Sequence, residues 1–138
     1  MARAPWTLSA QRVPVVHFDE NNALSSDLRR ADGSTTSAFP CVTASSLSAD
    51  IYRPDADGKF PVLLLRTPYS NNTPAAIEQS KFFAERGYVV VQEDVRGRYD
   101  SDGKFYAFRN EPNDGFDTDE WLGTQPWSNG KIGTFGGS

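Results

Sequence analysis

Two nearly continuous hydrophobic runs occur along the chain, at residues 60–66 and 88–92. They do not alternate between apolar and polar positions, which is typical of strands covered on both faces, as in a parallel sheet. Between the runs, good helix formers fill residues 75–86, with an apolar stripe that includes Ile77 and Phe83. The pattern predicts a strand–helix–strand unit with a right-handed crossover.

The ends of this helix carry their own signals. Thr73 is a credible N-cap, and Pro74 suits the first helical position because no partner is needed there for the N–H that proline lacks. Gly87 is placed to adopt the left-handed conformation that ends many helices. We therefore expect a helix over residues 75–86 that is capped by Thr73.

A second helix and a third strand complete the predicted sheet. Asp114 is expected to cap the helix, with Asp117 and Asp119 in its first turn, where acidic side chains complement the helix dipole. Residues 131–135 then predict a third parallel strand, which runs into a glycine–glycine–serine turn at 136–138. The predicted fold class is α/β, with a mostly parallel sheet and flanking helices.

The first fifty residues predict less regular structure. A short edge strand is expected over residues 13–18, where Pro14 suits the start or edge of a strand. The Asp-Gly pair at 32–33 predicts a tight turn, and the alternating residues 47–53 are the expected partner strand. Between them, residues 34–46 are uncharged and rich in Ser and Thr, which indicates a surface loop.

The overall charge limits the classes of partner. With a net charge of −4 and a pI near 4.9, the chain lacks the excess of Lys and Arg that favours binding to nucleic acids and anionic membranes. No apolar stretch approaches the ~18 residues of a membrane span, and the first ten residues lack the apolar region of a secretory signal. We expect no nucleic-acid or membrane partner, and a cytoplasmic location.

Two residue types occur once each. Cys41 has no second cysteine for a disulfide or a metal cluster, so we expect a buried or half-buried free thiol. His17 matters because histidine is the usual general base of a serine nucleophile. It lies among strand formers with no acidic partner at a diagnostic spacing, so a surface or packing role is favoured over a catalytic one.

The turn at the end of the third strand carries the candidate chemistry. Acyl-transfer enzymes present a nucleophilic serine on a glycine-flanked turn directly after a strand, in the pattern G-x-S-x-G. Gly136, Gly137 and Ser138 supply the first three positions of that pattern. The glycines permit a sharp bend and keep Cβ groups away from the serine hydroxyl.

Several short motifs between Leu47 and Ser138 support this interpretation. They are Ala49–Pro54, Arg66–Tyr69, Phe82–Gln92, Asp94–Arg98, Ser101–Gly103, Asp114–Asp117, Glu120–Leu122, Gln125–Gly130 and Gly136–Ser138. In these motifs, their order and their spacing, about two-thirds of the chain resembles the N-terminal part of one branch of the α/β-hydrolases. That branch contains the Xaa-Pro dipeptidyl-peptidases and the cocaine-esterase-like enzymes.

The resemblance implies serine acyl hydrolysis of a small ester or a short peptide, with no cofactor and no metal. It implies that Ser138 is the nucleophile and that the Tyr69 hydroxyl donates to the oxyanion hole. Losing one such donor typically costs ~10²–10³ in rate. A plain turn serine and an ordinary loop aromatic are the alternative interpretations of these two residues.

The charged segment after the second hydrophobic run has two interpretations. Arg96 and Arg98 suit the binding of a carboxylate substrate. They equally suit bracing of the loop through pairs with aspartates such as Asp94. Bracing is favoured, so none of the three is assigned to the site.

Two departures from the family stand out. Residues 34–46 look like an insertion, either a genuine surface loop or an error in gene translation. The second departure is truncation, because the catalytic Asp and His of the family lie downstream of the nucleophile and therefore outside residues 1–138. Residues 1–138 are therefore expected to be the first part of one α/β-hydrolase domain, inactive alone and prone to self-association. A non-catalytic binding module and an incomplete gene product are the alternatives.

Overall fold

The computed structural model describes residues 8–18 and 45–137, with side chains from Leu47 onward. Within these ranges the chain forms five strands and two helices. In chain order they are β1 (Leu8–Phe18), β2 (Ser45–Pro54), β3 (Phe60–Thr67), α1 (Pro74–Ala84), β4 (Val89–Asp94), α2 (Glu111–Gly123) and β5 (Ser128–Thr134). The strands form one sheet in the order β1-β2-β4-β3-β5. Neither of these helices is long and apolar enough to cross a membrane.

The half of the sheet that contains the two hydrophobic runs is parallel. Leu64 of β3 lies opposite Val91 of β4 on one side and opposite Thr134 of β5 on the other. Because α1 connects β3 to β4, the predicted strand–helix–strand unit is confirmed. Parallel strands point the same way, so β3, β4 and β5 all end at one edge of the sheet, which we call the carboxyl edge.

β2 is antiparallel to both of its neighbours, β1 and β4. The predicted edge strand is present, but it begins at Leu8. Its register shifts between Val13 and Val16, around Pro14, which has no N–H to give to the ladder. The sequence predicted that residues 47–53 pair across the Asp-Gly turn with the segment just before it. In the structure, β2 pairs at this side with β1. That turn, at 32–33, lies outside the described residues.

The start of β2 corrects another boundary. Ser45 and Ser46 pair with Phe18 and His17 of β1, so they belong to the sheet and not to the loop predicted over residues 34–46. Serine-rich composition indicated a loop, but the backbone of serine pairs like that of other residues once a neighbouring strand is available. The rest of that segment, including Cys41, lies outside the described residues.

α1 has the predicted caps. The Thr73 hydroxyl accepts a hydrogen bond from the Ala76 N–H at 3.2 Å, and a proline occupies the first turn. Beyond the last turn, Gly87 has a φ of 89°, and the Tyr88 N–H donates to the Phe83 carbonyl at 3.2 Å. Glycine adopts this left-handed conformation without the steric cost of a Cβ, so the helix ends here.

The predicted start of α2 is wrong by about one turn. The helix begins at Glu111, with Pro112 in its first turn, and Asp114 lies inside it and not at the cap. Asp114 is buried, and its carboxylate oxygens accept hydrogen bonds from Arg96 at 2.6 and 3.0 Å. Its side chain is thus bound to a distant residue and does not bind the backbone of the helix. Asp117 is also buried and lies in the middle of the helix.

The core covers both faces of β4, in which every residue is buried. On the α2 side, Val89 and Val91 belong to a cluster with Ala49, Ile51, Val62, Leu64 and Leu122. On the α1 side, Val90 packs with Tyr52 and Ala84. The prediction of a strand covered on both faces is confirmed for β4, whereas the fully buried residues of β3 all belong to the α2-side cluster.

Candidate active site

The carboxyl edge brings together the segments that follow β3, β4 and β5. The Val95 N–H donates to the Thr67 carbonyl at 3.1 Å, which joins the ends of β4 and β3. The Phe135 N–H donates to the Leu64 carbonyl at 3.1 Å, which holds the end of β5 beside β3. Ligands of α/β folds bind outside the carboxyl ends of the strands, so this edge is the candidate site.

Tyr69 lies in the segment that follows β3. Its side chain is 71% exposed, and its N–H donates to the Thr67 hydroxyl at 3.0 Å. The structure therefore places this predicted site residue at the carboxyl edge with its ring open to solvent.

A cleft of about 420 Å³ opens beside Tyr69. One wall is formed by the end of β3 and the residues after it, and the other by the segment from the end of β4 to the start of α2. The lining residues are Arg66, Pro68, Tyr69, Val95, Phe105, Ala107, Phe108 and Glu111. We call it the Tyr69 cleft. Most of its lining is apolar or aromatic, which suits a small organic ligand. Tyr69 also lines a smaller cavity of about 290 Å³, together with Gln92 and the first turns of α1.

The charged lining of the Tyr69 cleft is paired. Arg66 forms an ion pair through Nη1 with the Glu111 carboxylate at 2.9 Å and donates from Nε to Glu93 Oε1 at 2.5 Å. The second oxygen of Glu93 accepts from the Thr118 hydroxyl at 2.8 Å. Burial raises the pKa of the Glu93 carboxyl above its ordinary value, while the ion pair with Arg66 favours the ionised form. Arg66 is therefore fixed by carboxylates on two elements.

The arginines after β4 act as braces. Arg96 holds Asp114 of α2 through two hydrogen bonds. Arg98 donates from Nε to the Pro68 carbonyl at 3.0 Å, and its guanidinium lies 5.3 Å from the centre of the Phe105 ring. Arg96 thus forms the kind of aspartate pair that the favoured bracing interpretation expected, whereas Arg98 braces the loop through a backbone carbonyl.

Asp94, at the end of β4, is fully buried and also belongs to the brace. Its Oδ1 accepts a hydrogen bond from the Asn71 N–H at 2.8 Å. Burial raises the pKa of the Asp94 carboxyl above its ordinary value, and backbone hydrogen bonds from Asn71 and Asp100 partly offset this. Asp94 is thus bonded to the segments that follow β3 and β4.

The glycine pair that precedes the predicted nucleophile lies at the same edge. Phe135 packs against Phe83 of α1, with ring centres 5.7 Å apart. Around Gly136 and Gly137 no atom lies within 4 Å of the position that a Cβ would take. Ser138 itself lies outside the described residues. The structure therefore brings the glycines of the turn and Tyr69 to one edge of the sheet.

His17 lies elsewhere in the sheet. His17 lies in β1, and its backbone pairs with that of Ser46 in β2. Two strands, β2 and β4, separate β1 from β3. The side chain of His17 is outside the described residues. β1 lies at the edge of the sheet, away from the carboxyl ends of β3 and β5. The preference for a non-catalytic role of His17 stays a prediction.

Sequence reasoning missed the roles of Arg66, Glu93 and Asn71. Charged and polar residues at strand ends ordinarily face water, which is why Glu93 and Asn71 attracted no attention. One signal was available: Gln92, Glu93 and Asp94 directly continue an apolar run, and a polar residue that extends a buried strand requires a buried partner.

Known proteins resemble this chain in sequence. Residues 44–138 match the model of the family described as X-Pro dipeptidyl-peptidase (S15 family). A cocaine esterase from Rhodococcus sp. (strain MB1 Bresler) is 41% identical over 94 residues, which cover 65% of this chain and 16% of the esterase.

Solved structures resemble the chain in fold. A CocE/NonD family hydrolase from Staphylococcus aureus is 31% identical with a TM-score of 0.58, and the match covers 66% of this chain and 20% of that one. An aminopeptidase from a marine sediment archaeon, Thaumarchaeota archaeon, is 20% identical with a TM-score of 0.66, over 94% of this chain and 21% of that one. The predicted α/β-hydrolase fold is confirmed. The chain spans about a fifth or less of the length of these relatives.

Proposed function

The chain belongs to the X-Pro dipeptidyl-peptidase (S15) family, and we propose that the protein is a serine hydrolase of carboxylic esters or peptide bonds. One observation carries the proposal. Tyr69, its cleft and the glycine pair that follows β5 all lie at the carboxyl edge of the parallel half of the sheet. Two adjacent strands, β3 and β5, therefore lead to the proposed oxyanion donor and the proposed nucleophile.

Ser138 is proposed as the nucleophile. Its oxygen would bond to the carbonyl carbon of the substrate, and the alcohol or amine would leave with a proton returned by a general base. Water would then release the acid from the acyl-enzyme. The position of Gly136 and Gly137 after β5, at the carboxyl edge, supports this role.

Tyr69 is proposed as an oxyanion donor. A phenol hydroxyl that points to the developing alkoxide stabilises it more in the transition state than in the ground state. The exposed ring of Tyr69 lines the cleft at the end of the strand that neighbours β5, which supports this role.

A serine hydroxyl needs a general base to act at neutral pH. His17 is the only histidine in residues 1–138, and it lies on β1, which β2 and β4 separate from β3. We therefore propose that the base and the acidic residue that orients it come from outside residues 1–138, and that these 138 residues alone do not turn over.

The test uses the protein expressed from its complete gene. Hydrolysis of p-nitrophenyl esters and of Xaa-Pro-anilides is measured side by side for the wild type and for Ser138→Ala. We expect Ser138→Ala to abolish the activity, because the acyl-enzyme cannot form. The control is Ser128→Ala, at the opposite end of β5, which should retain it. Unchanged activity in Ser138→Ala would rule out Ser138 as the nucleophile.

A fluorophosphonate probe separates the enzyme from the non-catalytic binding module. The probe labels only an activated serine, so we expect one labelled site at Ser138 and none in Ser138→Ala. A folded protein that takes up no label and hydrolyses neither substrate class would support the binding module instead.

A further inference from the structure

Asn71 is a buried asparagine in an otherwise open segment. Its exposed fraction is 2%, although Tyr69, two residues earlier, is 71% exposed. Its N–H donates to Asp94 Oδ1 at 2.8 Å, and its side-chain Nδ2 donates to the Gln92 carbonyl at 3.3 Å. Both partners lie in the last three residues of β4 and are fully buried. Asn71 thus ties the segment after β3 to the centre of the sheet.

The turn between Tyr69 and Asn71 depends on this anchor. Ser70 has a φ of 85°, in the left-handed region that residues with a Cβ rarely adopt. Strained conformations of this kind persist only where the surroundings hold them in place. On one side Tyr69 is bound to Thr67, and on the other side Asn71 is bound to β4. Release of Asn71 would free the turn that sets the direction of the Tyr69 side chain.

We propose that Asn71 is a positioning residue for Tyr69, which holds the tyrosine hydroxyl at the oxyanion site by anchoring its turn to Gln92 and Asp94. The proposal rests on the proposed function of Tyr69. Asn71 is too deeply buried to contact a substrate, so its effect on the reaction passes through Tyr69. An oxyanion donor must lie within hydrogen-bond distance of the developing charge, and a displacement of about 1 Å can cost ~10²-fold in rate.

The experiment is a double-mutant cycle in the protein expressed from its complete gene, with a p-nitrophenyl ester as substrate. Asn71→Ala is expected to lower kcat about tenfold and to leave KM within about twofold, because the donor acts mainly in the transition state. Tyr69→Phe is expected to lower kcat by about 100-fold. The double variant should be no slower than Tyr69→Phe, because without the hydroxyl there is nothing left to position.

Two further variants separate positioning from folding. Asn71→Leu keeps the branched shape and removes the side-chain donor to Gln92, while the backbone N–H still donates to Asp94, so it repeats the test without a cavity if Asn71→Ala fails to fold. Ser80→Ala is the matched control, because the Ser80 hydroxyl accepts a buried hydrogen bond from the Gln92 side chain on the α1 side. It should lower the melting temperature without changing kcat.

Each outcome decides the proposal. If the losses from Asn71→Ala and Tyr69→Phe multiply to about 1,000-fold, or if both Asn71 variants keep the wild-type kcat, the side chain of Asn71 does not act through Tyr69, the positioning role fails and the proposed function stands. If Tyr69→Phe keeps the wild-type kcat, the oxyanion role of Tyr69 fails and the positioning role fails with it. If Ser138→Ala also remains active, the proposed function itself fails.

Discussion

Glu93 is a fully buried carboxylate with both oxygens bonded, one to Arg66 and the other to Thr118. Removing two opposite charges from water costs several kcal/mol for each, and their attraction offsets this only when the remaining hydrogen bonds are also made. Such a pair adds little net stability. Its effect is to fix the direction of the Arg66 side chain, because Glu93, together with Glu111, holds Arg66 along the wall of the Tyr69 cleft.

This argument predicts different costs for breaking the pair and for replacing it. Glu93→Ala should lower the free energy of unfolding by about 3 kcal/mol or more, because a buried guanidinium is left without its main partner. The double variant Arg66→Met/Glu93→Leu should lose much less, because neither charge of the pair remains. Urea unfolding of the two variants beside the wild type measures the difference. An equal loss in both would contradict the argument.

The residues of the candidate site were predictable to different degrees. The roles proposed for Tyr69 and Ser138 come from motifs that can be read in a single stretch of sequence. Asn71 and Glu93 were not, because their roles depend on partners 23 and 27 residues away, Asp94 and Arg66. A buried polar side chain reveals its role only when its partner is known, and a single sequence does not give the pairing.

At the scale of elements, the segment between β4 and α2 forms one wall of the Tyr69 cleft without any helix or strand. It folds back on itself at Gly97, where φ is 73° and the N–H donates to the Asp102 carbonyl at 2.8 Å. A Cβ on Gly97 would lie 2.2 Å from the Phe105 backbone nitrogen. Only glycine fits there, and this close approach sets where Phe105 enters the cleft.

Gly97→Ala should therefore displace the whole segment. Gly130 is the matched control, because its φ of 81° is also positive but no atom lies within 4 Å of its would-be Cβ. Gly130→Ala should cost about 1–2 kcal/mol from backbone strain alone. Gly97→Ala should cost clearly more and should also reduce ester hydrolysis. Urea unfolding and the ester assay check both statements, and equal costs for the two variants would show that the contact with Phe105 is unimportant.

The two helices show which element boundaries a sequence reveals. The caps of α1 were predicted because Thr73 and Gly87 act on the backbone within three or four residues of themselves. The start of α2 was missed because the side chain of Asp114 is bound to Arg96, 18 residues earlier in the chain. Local chemistry determines a boundary only when the side chain is not already bound elsewhere in the fold.

At the scale of the whole molecule, the strands of the described sheet differ in how much of their surface is buried. β4 is central and fully buried, whereas β5 lies at one edge and has exposed residues over most of its length. The free side of an edge strand offers backbone N–H and C=O groups to another chain. The order of the strands could be predicted only in part from sequence, because 26 residues separate the end of β1 at Phe18 from the start of β2 at Ser45.

Residues 1–138 produced alone are therefore expected to self-associate through β5. Sedimentation velocity should show a weight-average mass that rises with concentration. Thr134→Lys places a charge on the exposed part of the strand and should shift the distribution towards the monomer, because edge lysines oppose strand pairing. A single monomeric species with a sharp thermal transition for the unmodified polypeptide would contradict this expectation.

The last three residues of β4 hold the surroundings of the site together, and their faces alternate. Gln92 bonds to Ser80 of α1, Glu93 to Thr118 of α2, and Asp94 to the turn that carries Tyr69. Because side chains of a strand alternate between its faces, one inserted or deleted residue upstream in β4 would exchange the faces of all three. Glu93 would then meet α1, far from Arg66. Variation in the length of this protein should therefore be confined to its loops and absent from β4.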